Sequence, residues 1–207
     1  MNENHEKTLK QLRWLIWGYF CLLLIEGALR KWIVPQLSTP LLIVRDPIIL
    51  LAYYLAFRAG IFPKNRWIIS LAVIAGLAFL ISFIPLWLEG TPFRTTVLVS
   101  SYGFRCNFLH LPLIFIMARV LRPEDVKKFG WWTLVLIGPM ALLMVAQFYA
   151  SPDSLLNRTA SGEGEQIRSA LGKVRTAGPF SFVTGVVGYF ALATGFLMWA
   201  ALRRRAK

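Results

Sequence analysis

Five charged side chains stand where an apolar sequence has little reason to keep them. Glu26 and Arg30 lie four residues apart at the end of the first hydrophobic run, Arg45 and Asp46 open the second, and Arg105 sits about nine residues inside the fourth. An isolated charge near the centre of a bilayer costs about 2.5–3.5 kcal/mol even on lenient insertion scales, so mutual pairing is the cheapest way to retain them. Glu26 precedes Arg30 by one helical turn, the favourable order for such a pair. Three arginines against two carboxylates leave a net positive group, and arginine offers phosphoryl oxygens a planar donor fork that stays charged on burial. This pattern suits the holding of phosphate or diphosphate at head-group level. Arg45, Arg105 and, further along, Arg175 are the candidates for anion contact, with Glu26, Arg30, Asp46 and His110 as the supporting polar cluster. Snorkelling of the span-end charges, or binding of an ordinary anionic lipid, meets the same physics. Arg105 fits snorkelling least, because apolar sequence follows it to Leu121. Ser101 lies one turn before it, while Asn107 and His110 add hydrogen-bonding groups to the same segment. His110 reads either as an interhelical hydrogen-bonding group or as a base.

The elements that must position these residues are membrane spans. Hydrophobic residues make up 57% of the 207-residue chain, mean hydropathy is +0.57, and only 16% of residues are charged. A soluble domain of this size could not hide so much apolar surface. Six runs of spanning length are predicted, near 14–29, 41–57, 67–87, 96–118, 129–149 and 180–202, which makes the fold all-α and polytopic, with about six transmembrane helices. The chain is expected to be one transmembrane domain over 1–207. The first eleven residues are polar and no small-residue cleavage signal follows the first run, so that run is expected to be a retained span. Pro47, Pro85, Pro112 and Pro139 lie within or beside the runs, where each removes a backbone donor and can free a carbonyl for another group. Pro47 suggests a helix start next to Arg45 and Asp46.

The formal net charge of +13 would suggest nucleic acid in a soluble chain, yet the basic residues fall between the apolar runs, where topology signals belong. Fourteen lysines and arginines lie on one side of the alternating pattern and seven on the other: Arg30, Lys31, Arg94, Arg158, Arg168, Lys173 and Arg175. The asymmetry predicts both termini in the cytoplasm and the long, Gly/Ser-rich connection 150–179 outside. Within that connection a short helix is expected around Glu165 to Leu171. The Asn157-Arg158-Thr159 sequon also falls there, as a weak glycosylation signal. Ser181, Gly185, Gly188 and Gly195 trace a small-residue stripe on the sixth run, a packing seam within the monomer or against another chain. Cys21 and Cys106 read as small apolar residues, and two histidines cannot build a His-rich metal site. No metal or cofactor is expected. The catalytic residues are unassigned: Glu26, Asp46, Glu163 and Glu165 are the available carboxylates, none of them singled out.

The stretch Val174-Arg175-Thr176-Ala177-Gly178-Pro179-Phe180, placed between a long outer connection and a new span, resembles the bacterial O-antigen ligase and polysaccharide polymerase superfamily. Its Arg-x-x-Gly-x-Phe element is matched by Arg175, Gly178 and Phe180. The Glu26-Gly27 to Arg30-Lys31 and Arg45-Asp46-Pro47 stretches look like relatives of the same group. The resemblance implies a bacterial inner-membrane protein that transfers or polymerises lipid-diphosphate-linked glycan, with Arg175 and Arg105 contacting the diphosphate or the acceptor. Ser181-Phe182-Val183 departs from the family's usual continuation. Family members carry roughly ten or more spans and a later outer loop with essential His and Arg residues, so a truncated or split relative is expected, or a shortened paralogue. The partners implied are the lipid bilayer, a lipid-linked glycan and a larger membrane protein. The competing reading is a non-catalytic scaffold or complex subunit that docks through the Gly188 stripe. A small transporter would need a polar path through the inner halves of the spans, which offer little for one.

Overall fold

The computed structural model describes residues 3–160, 169–170 and 173–205. It is an all-α polytopic membrane protein. Among the described residues, five stretches are long and apolar enough to cross a bilayer: His5–Ile33, Pro35–Arg58, Arg66–Leu88, Pro123–Tyr149 and Val183–Arg203. The chain forms two compact units, 1–16 with 46–121, and 17–45 with 122–207, with helix α1 (Glu3–Ala28) contributing to both.

In the first unit, α3 (Asp46–Arg58) opens with Asp46 and Pro47, where proline's missing N–H costs nothing. Its fully buried Ile49, Ala52 and Ala56 form one stripe at helical spacing. Helix α4 (Arg66–Leu88) is capped by the Asn65 side chain, which accepts from Ile68 N at 2.9 Å. It carries no charge after Arg66, and among its side chains only Ala75 is buried. Apolar all round yet facing outward, it is a lipid-exposed span. A turn at Gly90, with φ of 79°, returns the chain into α5 (Phe93–Phe108), and Phe93 meets the edge of Trp87 at 5.7 Å.

The run near 96–118 does not form one continuous helix. Pro112 cannot donate to Phe108 O and disfavours helical geometry at Leu111. Helix α5 therefore stops at Phe108, a turn covers 109–112, and α6 (Leu113–Val120) follows. Arg119 ties the end of α6 to Ile61 O at 2.9 Å.

The second unit continues α1 into a π-helical turn, Leu29–Ile33, then a 3-10 turn at Pro35–Leu37 and the short α2 (Ser38–Leu41). Pro139 breaks the next span into α7 (Pro123–Val135) and α8 (Ile137–Tyr149). Helix α9 (Val183–Arg205) packs on α7 at Gly130, where an added Cβ would lie 2.6 Å from the Phe196 ring. Tyr189 donates to Thr133 O at 2.5 Å, and Met140, Phe180, Val186 and Tyr189 make the buried core.

One expectation fails in the 150–179 connection, and one weak signal there finds a structural role. Ser169–Ala170 is a strand, β1, paired antiparallel with β2 (Lys173–Val174), where the Glu165–Leu171 stretch is expected to be helical; the rest of that stretch, with Glu165 and Arg168, lies outside the described residues, as does Glu163 before it. The sequon Asn157 is buried, and its amide nitrogen donates to Gln147 O, Ala150 O and Ser151 O at 2.9–3.3 Å, so it closes the loop instead of presenting a glycosylation site.

Candidate functional site

The five charges found in the sequence resolve into two ion networks, one in each unit. In the second unit Glu26, on the last turn of α1, is the shared acid. Its carboxylate lies 2.6 Å from Arg45 Nε and 3.6 Å from Arg30 Nη1, and its side chain is only 7% exposed. Arg45 also faces the Tyr19 ring at 5.8 Å, a cation–π distance. Arg30 is buried and has further work: Nε donates to Ser38 O at 2.9 Å and Nη1 to Ser181 Oγ at 2.9 Å. It is therefore not a snorkelling side chain. Its fork joins α1, α2 and the approach to α9.

Beside this network the chain around Gly178 is clasped. Gln147 on α8 accepts from Gly178 N at 2.9 Å and donates to Gly178 O at 3.2 Å. The Lys31 ammonium, buried like Arg30, donates to the same carbonyl at 3.1 Å. Gly178 has φ of 55°, in the left-handed region where glycine carries no Cβ penalty. Its successors press on Gly27, where a Cβ would collide with the backbone of Pro179, Phe180 and Ser181. The two stretches Glu26–Lys31 and Gly178–Ser181 are thus locked together by backbone contact and side-chain hydrogen bonds. Trp32 Nε1 adds a bond to Leu155 O at 3.0 Å, and Ser38 Oγ donates to Ala160 O.

Among the described residues of the Glu26 network and the clasp, Arg30 and Arg45 share one carboxylate, while Lys31 donates to a backbone carbonyl and has no acidic partner. Arg175, three residues before Gly178, is exposed and makes no ion pair among the described residues. Pro179 leads away from it into an apolar cavity of about 470 Å³, whose other walls include Trp17, Cys21, Leu24 and Ala28 of α1 and Trp132, Leu136 and Met140 of α7–α8. The second unit thus presents an exposed guanidinium close in sequence to a hydrocarbon-lined space.

In the first unit Asp46 is the shared acid. Arg105 donates to it through Nε and, at 3.4 Å, through Nη2. His110 Nε2 lies 3.6 Å from Oδ1, the oxygen that Nη2 also approaches. Arg105 is mostly buried, with 18% of its side chain exposed. Asn107 does not join the group, because its amide turns back to Gly103 O. The small residues of the stripe meet different surroundings within the chain. Ser181 precedes α9 and serves Arg30, an added Cβ at Gly185 would strike Phe180, and Gly188 and Gly195 have open space.

Sequence reasoning passed over Gln147 and gave Lys31 no binding role, counting it as a topology charge and as part of a resembling stretch. A lone amide in the run Ile137–Tyr149 was the available signal, since buried polar groups in a span must be paired. Replacing Gln147 by Leu is expected to strand the Gly178 amide at a cost of about 1–3 kcal/mol. The measurable result is roughly tenfold faster tryptic cleavage at Lys173 and Arg175, consistent with ~1.4 kcal/mol of easier opening. No protein-family model, curated protein or solved structure matches this chain.

Proposed function

We propose that this chain is an O-antigen ligase-like protein of the bacterial inner membrane, with both termini cytoplasmic, that handles a lipid-diphosphate-linked glycan in envelope polysaccharide assembly. One observation carries the reading: the Glu26–Lys31 and Gly178–Ser181 stretches interlock, leaving exposed Arg175 close in sequence to Pro179 at the apolar cavity. A substrate with a long hydrocarbon chain and a diphosphate needs an apolar channel and a cation near its mouth. In this reading Arg175 meets the diphosphate. Arg45 and Arg30, both engaged by Glu26, hold the frame. The fourteen-to-seven basic asymmetry supports the orientation.

The test is a transfer assay with the purified full chain in nanodiscs and a radiolabelled polyprenyl-diphosphate oligosaccharide, together with photo-crosslinking of the same lipid. Crosslinking is expected to be protected by unlabelled lipid and to fall at least tenfold in Arg175→Ala. Unprotected crosslinking, or equal crosslinking in the variant, overturns the proposal. Binding without turnover selects the second reading, a subunit that serves a larger membrane enzyme. The open face at Gly188 and Gly195 favours that role, and Gly188→Leu would then abolish copurification with the larger protein.

A further inference from the structure

The interruption between α5 and α6 brings together groups that the proposed glycan site does not use. Asp46 and Tyr53 lie two turns apart on one face of α3. Tyr53 donates to Leu109 O at 2.7 Å, so a carbonyl in the turn is capped by the same helix that supplies Asp46. One oxygen of Asp46 is approached from two directions, by Arg105 Nη2 at 3.4 Å and by His110 Nε2 at 3.6 Å. Arg105 is charged at any ordinary pH, whereas an imidazole carries one charge or none.

We propose that His110 is a proton-binding site of this chain. Uptake of a proton turns its 3.6 Å approach into a second ion pair on Asp46 and draws the turn at Leu109–Pro112 towards α3. Interrupted helices suit such a role, because the short i→i−3 bonds of the turn replace the continuous ladder that would hold a regular helix in one arrangement. The described titratable and charged groups around the turn lie on α3, α5 and α6. On α5, the Tyr102 ring lies 5.7 Å from the Arg105 guanidinium and Cys106 Sγ lies 3.9 Å from Arg105 Nη1. On α3 the facing groups are Asp46, paired with Arg105, and the Tyr53 phenol. Helix α4, packed along α5, has no titratable side chain from Trp67 to Leu88, and α6 offers only Arg119 at its far end, bonded to Ile61 O. Arg45, the chain neighbour of Asp46, is engaged by Glu26. Of the described groups facing the turn, the imidazole is the one whose unperturbed titration falls between about pH 5 and 8.

The test uses the full chain in nanodiscs with Cys21→Ser, so that exposed Cys106 alone carries an environment-sensitive fluorophore. Emission is expected to change sigmoidally between pH 8 and 5, with the amplitude lost in His110→Gln. Asp46→Asn is expected to move the midpoint to lower pH, because the carboxylate that favours the charged ring is gone. In unmodified protein labelled with 15N-histidine, the His110 ring nitrogens should change protonation over the same range, with His5 as the reference. An unchanged fluorescence profile in His110→Gln, or ring resonances that do not move between pH 5 and 8, overturns the proposal. Neither measurement depends on glycan binding.

Discussion

Replacing Gly27 by alanine is expected to lower the unfolding midpoint of the detergent-solubilised protein by about 10 °C, or to eliminate monodisperse protein altogether. The added methyl would sit 2.5 Å from Ser181 N and 2.6 Å from Phe180 C, and closer still to Pro179 O. All three are backbone atoms, so no rotamer change relieves the clash. The segment also cannot back away, because Gly178 is held by Gln147 and Lys31 on one side of the contact and Ser181 by Arg30 on the other. Overpacking of a well-fitted contact costs about 1–3 kcal/mol, and a backbone clash pinned at both ends belongs at the upper end of that range. In a chain of this size each kcal/mol moves the midpoint by about 2–4 °C. Gly188→Ala and Gly195→Ala are the controls. Neither added methyl meets an atom within 4 Å, so both variants should unfold with the parent. If Gly27→Ala also unfolds with the parent, the two stretches are not in contact as described.

That contact shows where a single sequence stops being informative. Span boundaries were legible because a bilayer leaves little choice: the run near 67–87 became Arg66–Leu88, with Asn65 as its cap. Pro112 was one of four prolines able to disturb a run, and spacing did not tell that it interrupts the run near 96–118 while α4 continues through Pro85. The identities of the charged residues were legible too, since a charge in an apolar run must find a partner. Which partner it finds was legible for one pair only. Glu26 and Asp46 each gather two basic groups, and of these contacts the Glu26–Arg30 pair follows from its spacing of one helical turn, while Arg45 on Glu26 and Arg105 and His110 on Asp46 depend on which segments become neighbours. Gln147 was hidden for a related reason. Its partner is the backbone of Gly178, thirty-one residues away, and a backbone carbonyl leaves no trace in composition. Gly178 itself stood out only as part of a resemblance, although its left-handed φ gives a physical reason for glycine at that place. The small residues near α9 share one helical face by spacing but not their surroundings, which spacing could not tell: one glycine packs on Phe180 and two face open space.

Neutralising Glu26 is the second change from which a large effect is expected. The Glu26→Gln side chain keeps the shape and one acceptor oxygen but leaves Arg30 and Arg45 without their carboxylate. Removing one partner of a buried ion pair costs about 3–5 kcal/mol, mostly because the remaining charge stays desolvated. The two arginines should not contribute equally. Arg30 keeps Ser38 O and Ser181 Oγ, whereas Arg45 depends on the 2.6 Å approach to Glu26 and the weaker attraction of the Tyr19 ring. The double variant Glu26→Gln, Arg45→Gln should therefore recover at least half of the lost stability, while Glu26→Gln, Arg30→Gln recovers little, because it also unfastens α2 and Ser181. Unfolding in bicelles of the parent, the single variants Glu26→Gln, Arg30→Gln and Arg45→Gln and the two double variants, read as two double-mutant cycles, separates the two couplings. Equal recovery by both double variants would mean that Arg30 is held by its charge alone, and that the junction of α1, α2 and the approach to α9 does not rest on its hydrogen-bonding fork.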